Sequence, residues 1–452
     1  MKKLLSFLSI IGCLAVGLQS FATNEIDKAI SQSALKKGTV AVSVKNLQTG
    51  ETVYELNSDK LVPPASTQKL VTLAAALDTL GADYKFKTTL YKTTNNELYI
   101  KLGADPFLSS KNLDNLFALA AKKKIVEPKA IYFDDYVLDG MEWGEGWQWD
   151  DELNVLMPKF GSYNLDGNLI RVVVMPTTLN APANIYTKPS YPLTFMNLTT
   201  TTDAENNVTY EKTAVALPDM LTVKGTVSKP YGFVIPANNT KRYFRLRTEE
   251  ALSSNKIDFY GKFAQKKLPT TGVYKVGEIE HSISLAVGAV LKDSNNLVAE
   301  TVFKLAGGKF VNNTGSSKSS IEMFDAFCKK INLDNSDIKL VDGSGVSKNN
   351  LMSADFMTAF LVDISKSPSF ELYKSAMAKP GEGTLKNRML YFSDNLRAKT
   401  GTLSDISAIA GYITTQKGKD YAFDIVINDA KTSNADKKLL EEYILRAIYS
   451  QY

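Results

Sequence analysis

Ser66 and Lys69 stand three residues apart in Pro64-Ala65-Ser66-Thr67-Gln68-Lys69, at the start of an apolar-periodic run. Side chains three apart share a helix face, so the Ser66 hydroxyl and the Lys69 amine can meet. A serine beside an amine that accepts its proton is the Ser-Lys form of nucleophilic catalysis. Alone the pair is weak, because a helix start followed by a solvated lysine has the same spacing. Two later stretches add to it. Ser294-Asn295-Asn296 offers a hydroxyl that can relay a proton and an amide that can hold the amine or a substrate carbonyl. Its plainer reading is a turn before a helix, with Ser294 or Asn295 as the N-cap. Lys399-Thr400-Gly401-Thr402 reads as strand, with Lys399 and Gly401 on one side and Thr400 and Thr402 on the other. Glycine weakens a strand interior unless something must approach closely, and a substrate backbone beside the strand would be such a reason. For Lys69 to act as a base at neutral pH, its pKa must fall well below about 10.4; burial would push it that way, as would a second cation such as Lys399 brought beside it by the fold.

Other residue types narrow the chemistry. His281 is the sole histidine, so a Ser-His-Asp triad or a His-based zinc site has almost nothing to build on, and a hydrolase here needs a non-histidine base. Ser344, in Asp342-Gly343-Ser344-Gly345, is a competing nucleophile, but its surroundings do not match the Gly-x-Ser-x-Gly elbow. Of the two cysteines, Cys328 has Phe324, Phe327 and Ile331 at helical spacing and reads as a buried structural thiol. The other, Cys13, lies in the N-terminal apolar run. Neither a metal nor an organic cofactor is called for.

The elements that must position these groups follow from the patterning. Glu25 to Leu35 reads as a helix. Val40–Val44 and Val53–Leu56, separated by Gln48-Thr49-Gly50-Glu51, read as a hairpin. Leu70, Leu73, Ala74, Leu77 and Leu80 form the apolar face of the helix that begins near Ser66, and Gly81 ends it. A nucleophile at a helix start has free backbone N–H groups beside it for an oxyanion. From about Tyr84 to Glu280 strand-like segments recur around one helix at Asn112–Lys124, and the Thr- and Asn-rich tracts Thr199–Asn207 and Asn238–Lys241 read as surface turns. Helical texture returns after His281, with helices over Leu297–Ala306, Ser320–Asn332 and Ala354–Ser365. The chain closes with strands at Leu396–Leu403, Ile406–Thr414 and Tyr421–Asn428 and a helix at Ala435–Tyr449. Two N-terminal and three C-terminal strands with terminal helices predict an α+β core built on one five-stranded antiparallel sheet. The expected division is a core in two parts, 23–83 and 281–452, split by a β-rich insert over 84–280 made of two subdomains.

The chain has 452 residues, of which 44% are hydrophobic and 22% charged, with a formal net charge of +5. This balance is ordinary for a globular protein and too mild, without clustering, to imply a nucleic-acid partner. Lys2 and Lys3 precede an apolar stretch from Leu4 to Leu18 that is too short to span a bilayer, and Ser20-Phe21-Ala22 fits a cleavage site. Residues 1–22 are therefore expected to be a secretory signal, with the mature start near Thr23 and no stable membrane span. Ile10-Ile11-Gly12-Cys13 also resembles a lipobox, which leaves lipidation of Cys13 as the alternative.

Taken together, the three stretches occur in the order Ser-x-x-Lys, Ser-x-Asn, Lys-Thr-Gly, which is that of serine β-lactamases and penicillin-binding proteins. The chain resembles the class C low-molecular-mass penicillin-binding proteins, the D-alanyl-D-alanine carboxypeptidase/endopeptidase family. The resemblance runs through Gly103-Ala104-Asp105-Pro106, Gly146-Trp147-Gln148-Trp149-Asp150-Asp151, Ser294 to Phe303, Asp342-Gly343-Ser344-Gly345, Gly383-Thr384-Leu385 and Ala410-Gly411-Tyr412. It implies a serine β-lactamase/DD-peptidase-like core, with the large insert after the first motif. It implies Ser66 as acylating nucleophile, Lys69 as base, Ser294 and Asn296 as relay and positioning groups, and Lys399 completing the site. Thr400, Gly401 and Thr402 would line the substrate, and the Ser66 and Thr402 N–H groups would form the oxyanion hole. Asp151 and Arg388 match positions linked to the peptide stem. Peptidoglycan peptides would be the substrates and β-lactams covalent inhibitors, in the periplasm. The sequence departs from the family at Asn295, where Asp is frequent, and at Ser404, where some relatives carry Gln. Two rival functions share these residues. One is a β-lactamase, for which Asp150-Asp151-Glu152-Leu153-Asn154 imitates a deacylation motif but falls before Ser294 rather than after it. The other is a peptidoglycan-binding protein that has lost the chemistry.

Overall fold

The structure, a computed structural model, describes residues 24–35, 37–214 and 216–452. The expected signal segment, Cys13 and the mature start near Thr23 lie outside the described residues.

Strands Leu396–Thr402, Ile406–Thr414, Asp420–Asn428, Thr39–Asn46 and Thr52–Leu56 pair in that order into one antiparallel sheet. This is the sheet the patterning predicts, with Lys399 opposite Ala410 and Val42 opposite Ile425. The strands Ile406–Thr414 and Asp420–Asn428 are buried on both faces, so they read as continuous apolar runs rather than alternating ones. One face carries the terminal helices Glu25–Ser31 and Asn434–Gln451, which pack on each other. The other carries a helical layer in which Lys69–Leu80 packs on Asn296–Val311, with Ala354–Ile364 against the sheet. Cys328 is fully buried in that layer, and burial pushes its thiol up to about 12.

The region between the first two motifs forms a mixed five-stranded sheet and two three-stranded sheets. Its own core gathers Leu90, Ile100, Phe117, Ile131, Val172 and Phe244. Two expectations are revised here. Of the tract Thr199–Asn207, residues 202–206 form the expected connection, while Thr199–Thr201 closes strand Thr194–Thr201 and Asn207 opens strand Asn207–Lys212, because β-branched threonine suits a pleated, half-buried surface. Asn238–Lys241 is not a surface turn but the start of a helix, Thr240–Ser254, whose N-cap Asn239 accepts from the Arg242 N–H. The expected boundary at 280/281 falls inside strand Val273–Ser282, which pairs with Lys85–Thr93. That strand fixes His281, whose Nδ1 lies 2.6 Å from Asp105 Oδ2. The insert also reaches the helical layer: Phe86, Trp147, Met157 and Phe160 pack with Leu70 and Val298.

Candidate active site

After Pro63-Pro64 the chain enters a single 3₁₀ turn, Ala65–Gln68, before the helix Lys69–Leu80. Ala65 has φ +50°, a left-handed conformation that side chains rarely adopt. Ser294, in the loop before helix Asn296–Val311, has φ +62°. Strain of this kind persists only where the surroundings over-determine it, and here it falls at both serine motifs. Asn295 is the N-cap of that helix and accepts from the Val298 N–H, which leaves Asn296 at its first turn, half-buried at the floor of the site.

Lys69 is fully buried, and its amine has three neighbours. Asn296 Oδ1 lies at 2.6 Å, the Ser344 carbonyl at 2.7 Å and Ser66 Oγ at 2.8 Å. The first two are oxygens that can only accept. A neutral amine therefore spends its two protons on them, and its lone pair is left facing the Ser66 hydroxyl. Burial pulls the Lys69 pKa down to about 7, against the Asp342 and Glu300 carboxylates, which raise it. Lys399 is also fully buried and donates to Ser294 Oγ at 2.8 Å and to the Thr400 carbonyl at 2.7 Å. Its pKa is held well below the ordinary lysine range, by burial first and by the charge on Lys69 second. Burial is the first cause of the depression at both lysines.

Gly401 is required for a reason other than the one its sequence suggests. A Cβ there would meet Ala65 Cβ at 2.9 Å, the Ser66 backbone N at 2.9 Å and the Pro64 carbonyl at 3.1 Å. The close neighbour is the nucleophile's own turn, not a substrate. Strand Leu396–Thr402 is an edge of its sheet. On the unpaired side the Ala398 N–H is taken by the Ala378 carbonyl at 3.0 Å, so alternation turns the Thr400 and Thr402 N–H groups to that same side.

A cleft of about 770 Å³ opens above these groups. Ser66, Ser294, Asn296, Thr400 and Thr402 line one side, and Gly146, Gln148, Asp151, Asn154 and Leu156 of the insert line the other. Lys69, Lys399 and Gly401 lie beneath that lining. The insert touches the second motif directly, since Asn296 Nδ2 donates to the Leu156 carbonyl at 2.7 Å. Asp151 faces the cleft from the short helix Trp149–Leu153 and accepts from the Gln148 N–H. Arg388 is the one expected site residue that the structure does not bring to the cleft. Its guanidinium donates to Glu441 Oε2 at 2.6 Å, on the closing helix, and Ser407 Oγ donates to the other oxygen at 2.5 Å. A buried carboxylate of this kind needs a paired cation, and Arg388 supplies it.

The sequence matches the D-Ala-D-Ala carboxypeptidase 3 (S13) family over residues 22–446. The chain belongs to this family. It is 24% identical to a D-alanyl-D-alanine carboxypeptidase DacB of Haemophilus influenzae, over 97% of this chain and 96% of the relative. A D-alanyl-D-alanine carboxypeptidase from an Actinomadura species is 27% identical, over 89% of this chain and 80% of its own length. Among solved structures, penicillin binding protein 4 from Haemophilus influenzae superimposes with a TM-score of 0.82 at 22% identity, covering 94% of this chain and 99% of that one. A predatory peptidoglycan endopeptidase from Bdellovibrio bacteriovorus has a TM-score of 0.53 at 18% identity, covering 91% and 92%. These likenesses establish the α+β peptidase fold. In this S13-family chain, sequence reasoning overlooked two contributors to the site: the Ser344 carbonyl, which no side-chain motif signals, and Glu300, which sits one helical turn beyond Asn296.

Proposed function

We propose that the chain is a serine-type D-Ala-D-Ala carboxypeptidase and/or DD-endopeptidase acting on peptidoglycan stem peptides and cross-links through an acyl-enzyme on Ser66. The observation that carries this reading is the Lys69 amine, fixed by two acceptor oxygens so that its free electron pair meets Ser66 Oγ at 2.8 Å. Ser66 Oγ attacks the carbonyl of the penultimate D-residue and its proton passes to Lys69 Nζ. The Ser66 and Thr402 N–H groups receive the developing oxyanion. Lys399 donates to Ser294, so the Ser294 hydroxyl proton is free to reach the leaving amine, and Lys69 replaces it. The C–N bond breaks and D-Ala, or the cross-linked amine, departs. Water then adds to the ester, Lys69 takes its proton, and Ser66 leaves reprotonated with the shortened peptide released. Thr400 and Thr402 hold the terminal carboxylate beside Lys399, and Asp151 reads the peptide stem across the cleft. Arg388 takes no part in binding. The core parts 23–83 and 281–452 carry the chemistry, the insert 84–280 supplies the opposite wall, and residues 1–22 direct the chain to the periplasm.

The test is release of D-Ala from a stem pentapeptide, and of monomers from a cross-linked muropeptide, by the protein and by Ser66→Ala. The expected result is hydrolysis that Ser66→Ala abolishes with thermal stability unchanged. A folded protein that binds the muropeptide and releases nothing would make it a binding protein. Rapid hydrolysis of a penicillin with no peptide turnover would make it a β-lactamase.

A further inference from the structure

The stretch Asp342-Gly343-Ser344-Gly345 lies as a strap between two helices, and each of its three peptide groups is held at both ends. The Asp342 carbonyl accepts from Gln68 Nε2 at 2.6 Å, the Gly343 carbonyl from Thr72 Oγ1 at 2.7 Å and the Ser344 carbonyl from Lys69 Nζ at 2.7 Å. All three donors belong to the Ser-x-x-Lys turn and helix. On the other side, the Gly343 N–H lies 3.1 and 3.0 Å from the two Glu300 oxygens, and the Ser344 N–H donates to Oε1 at 2.8 Å. The Gly345 N–H donates to Asp342 Oδ1 at 2.8 Å. Glu300 is 1% exposed. It stands four residues after Asn296, so the two share one face of helix Asn296–Val311. Burial and Asp342 push it up to about 7, opposed by the Ser344 and Gly343 donors.

We propose that Glu300 is a positioning residue for acylation: through the strap Asp342–Gly345 it fixes the Lys69 amine on Ser66. One helix then sets both acceptors of that amine. Asn296 meets it directly, and Glu300 meets it through the Ser344 carbonyl. The carboxylate polarises the strap's N–H groups, and hydrogen bonds in series strengthen one another. The charged groups facing Glu300 are Asp342 on the strap and Lys69 beyond it, with Lys399 behind Lys69; Lys304, one turn on, is turned to Asp139 instead. Glu300 therefore also keeps the Lys69 pKa from falling further.

The inference rests on Ser66 being the nucleophile. Acylation of the unaltered protein by a fluorescent penicillin tests that reading, and the ratio of variant to unaltered rates tests the inference. Glu300→Gln puts an N–H donor against the Gly343 N–H. The expected result is an acylation rate lower by about ten- to hundredfold, the scale of a misplaced reacting group, and an acidic limb of the pH profile that moves to lower pH. Glu300→Asp keeps the charge but shortens its reach, and should lose rate with the limb unmoved. Thr72→Val leaves the buried Gly343 carbonyl unpaired without altering any charge, and should lower the acylation rate of the folded fraction along with a modest fall in Tm; it decides the matter if neither Glu300 variant folds. A folded Glu300→Gln that acylates within twofold of the unaltered protein, with the same limb, overturns the proposal, as does an unaffected Thr72→Val where that variant decides.

Discussion

Asn296→Asp replaces the amide that faces Lys69 with a carboxylate of the same shape. The oxygen lies 2.6 Å from Lys69 Nζ, so the new charge acts at contact. An opposite charge within hydrogen-bonding range shifts a pKa by about 1–3 units toward the charged form. Lys69, now near 7 because it is buried, would move up by that amount. If acylation needs the neutral amine, about half of the unaltered molecules are competent at pH 7, against about one in 2,500 for an unshifted lysine. The variant's rate at pH 7 should fall by roughly five- to five-hundredfold for those 1–3 units, and raising the pH should recover that part of the loss. The lost hydrogen bond from Asn296 Nδ2 to the Leu156 carbonyl lowers the plateau without moving the midpoint. The assay is stopped-flow acylation by a fluorescent penicillin from pH 5 to 10 on both proteins. The unaltered protein should show a rise centred near pH 7, and the variant the same rise displaced upward. A variant midpoint equal to the parent's, or a variant rate that does not rise with pH above the parent's midpoint, would refute the neutral-lysine mechanism.

Gly401→Ala places a methyl group 2.9 Å from the Ser66 nitrogen and from Ala65 Cβ. It should slow acylation at least tenfold, a loss of about 1.4 kcal/mol or more in the barrier, while circular dichroism stays that of the parent. Arg388→Ala should do the reverse. Removing one partner of a buried pair costs about 3–5 kcal/mol of stability, read as a lower Tm, while the folded fraction is acylated at the parental rate. A large fall in substrate affinity with unchanged Tm would return Arg388 to the binding site.

The core was legible because burial on both faces leaves a strong mark. Ile406–Thr414 is observed with the bounds its apolar run predicts. The Ser-x-x-Lys and Ser-x-Asn spacings are local, and the structure brings Ser66, Lys69 and Asn296 together, with Lys399 on Ser294 beside them. What escaped depends on partners distant in the chain. Arg388 looks like a free cation until Glu441, 53 residues on, is placed against it. Gly401 looks like a gap for a ligand until the Pro64–Ser66 turn fills it. Helix Thr240–Ser254 was hidden by its charged residues, among them Lys241, Arg242, Arg245 and Arg247, which blur the apolar stripe, although its N-cap Asn239 was in plain view. Glu300 carried a usable signal, its i+4 spacing from Asn296, but a glutamate on a helix is ordinarily solvated.

The most direct measurement is mass spectrometry of the protein after exposure to a labelled penicillin, with the modified peptide sequenced. The account predicts one adduct, on Ser66, absent from Ser66→Ala and persistent enough to isolate. An adduct on Ser344 or elsewhere, or a folded protein that takes up no label, would contradict it.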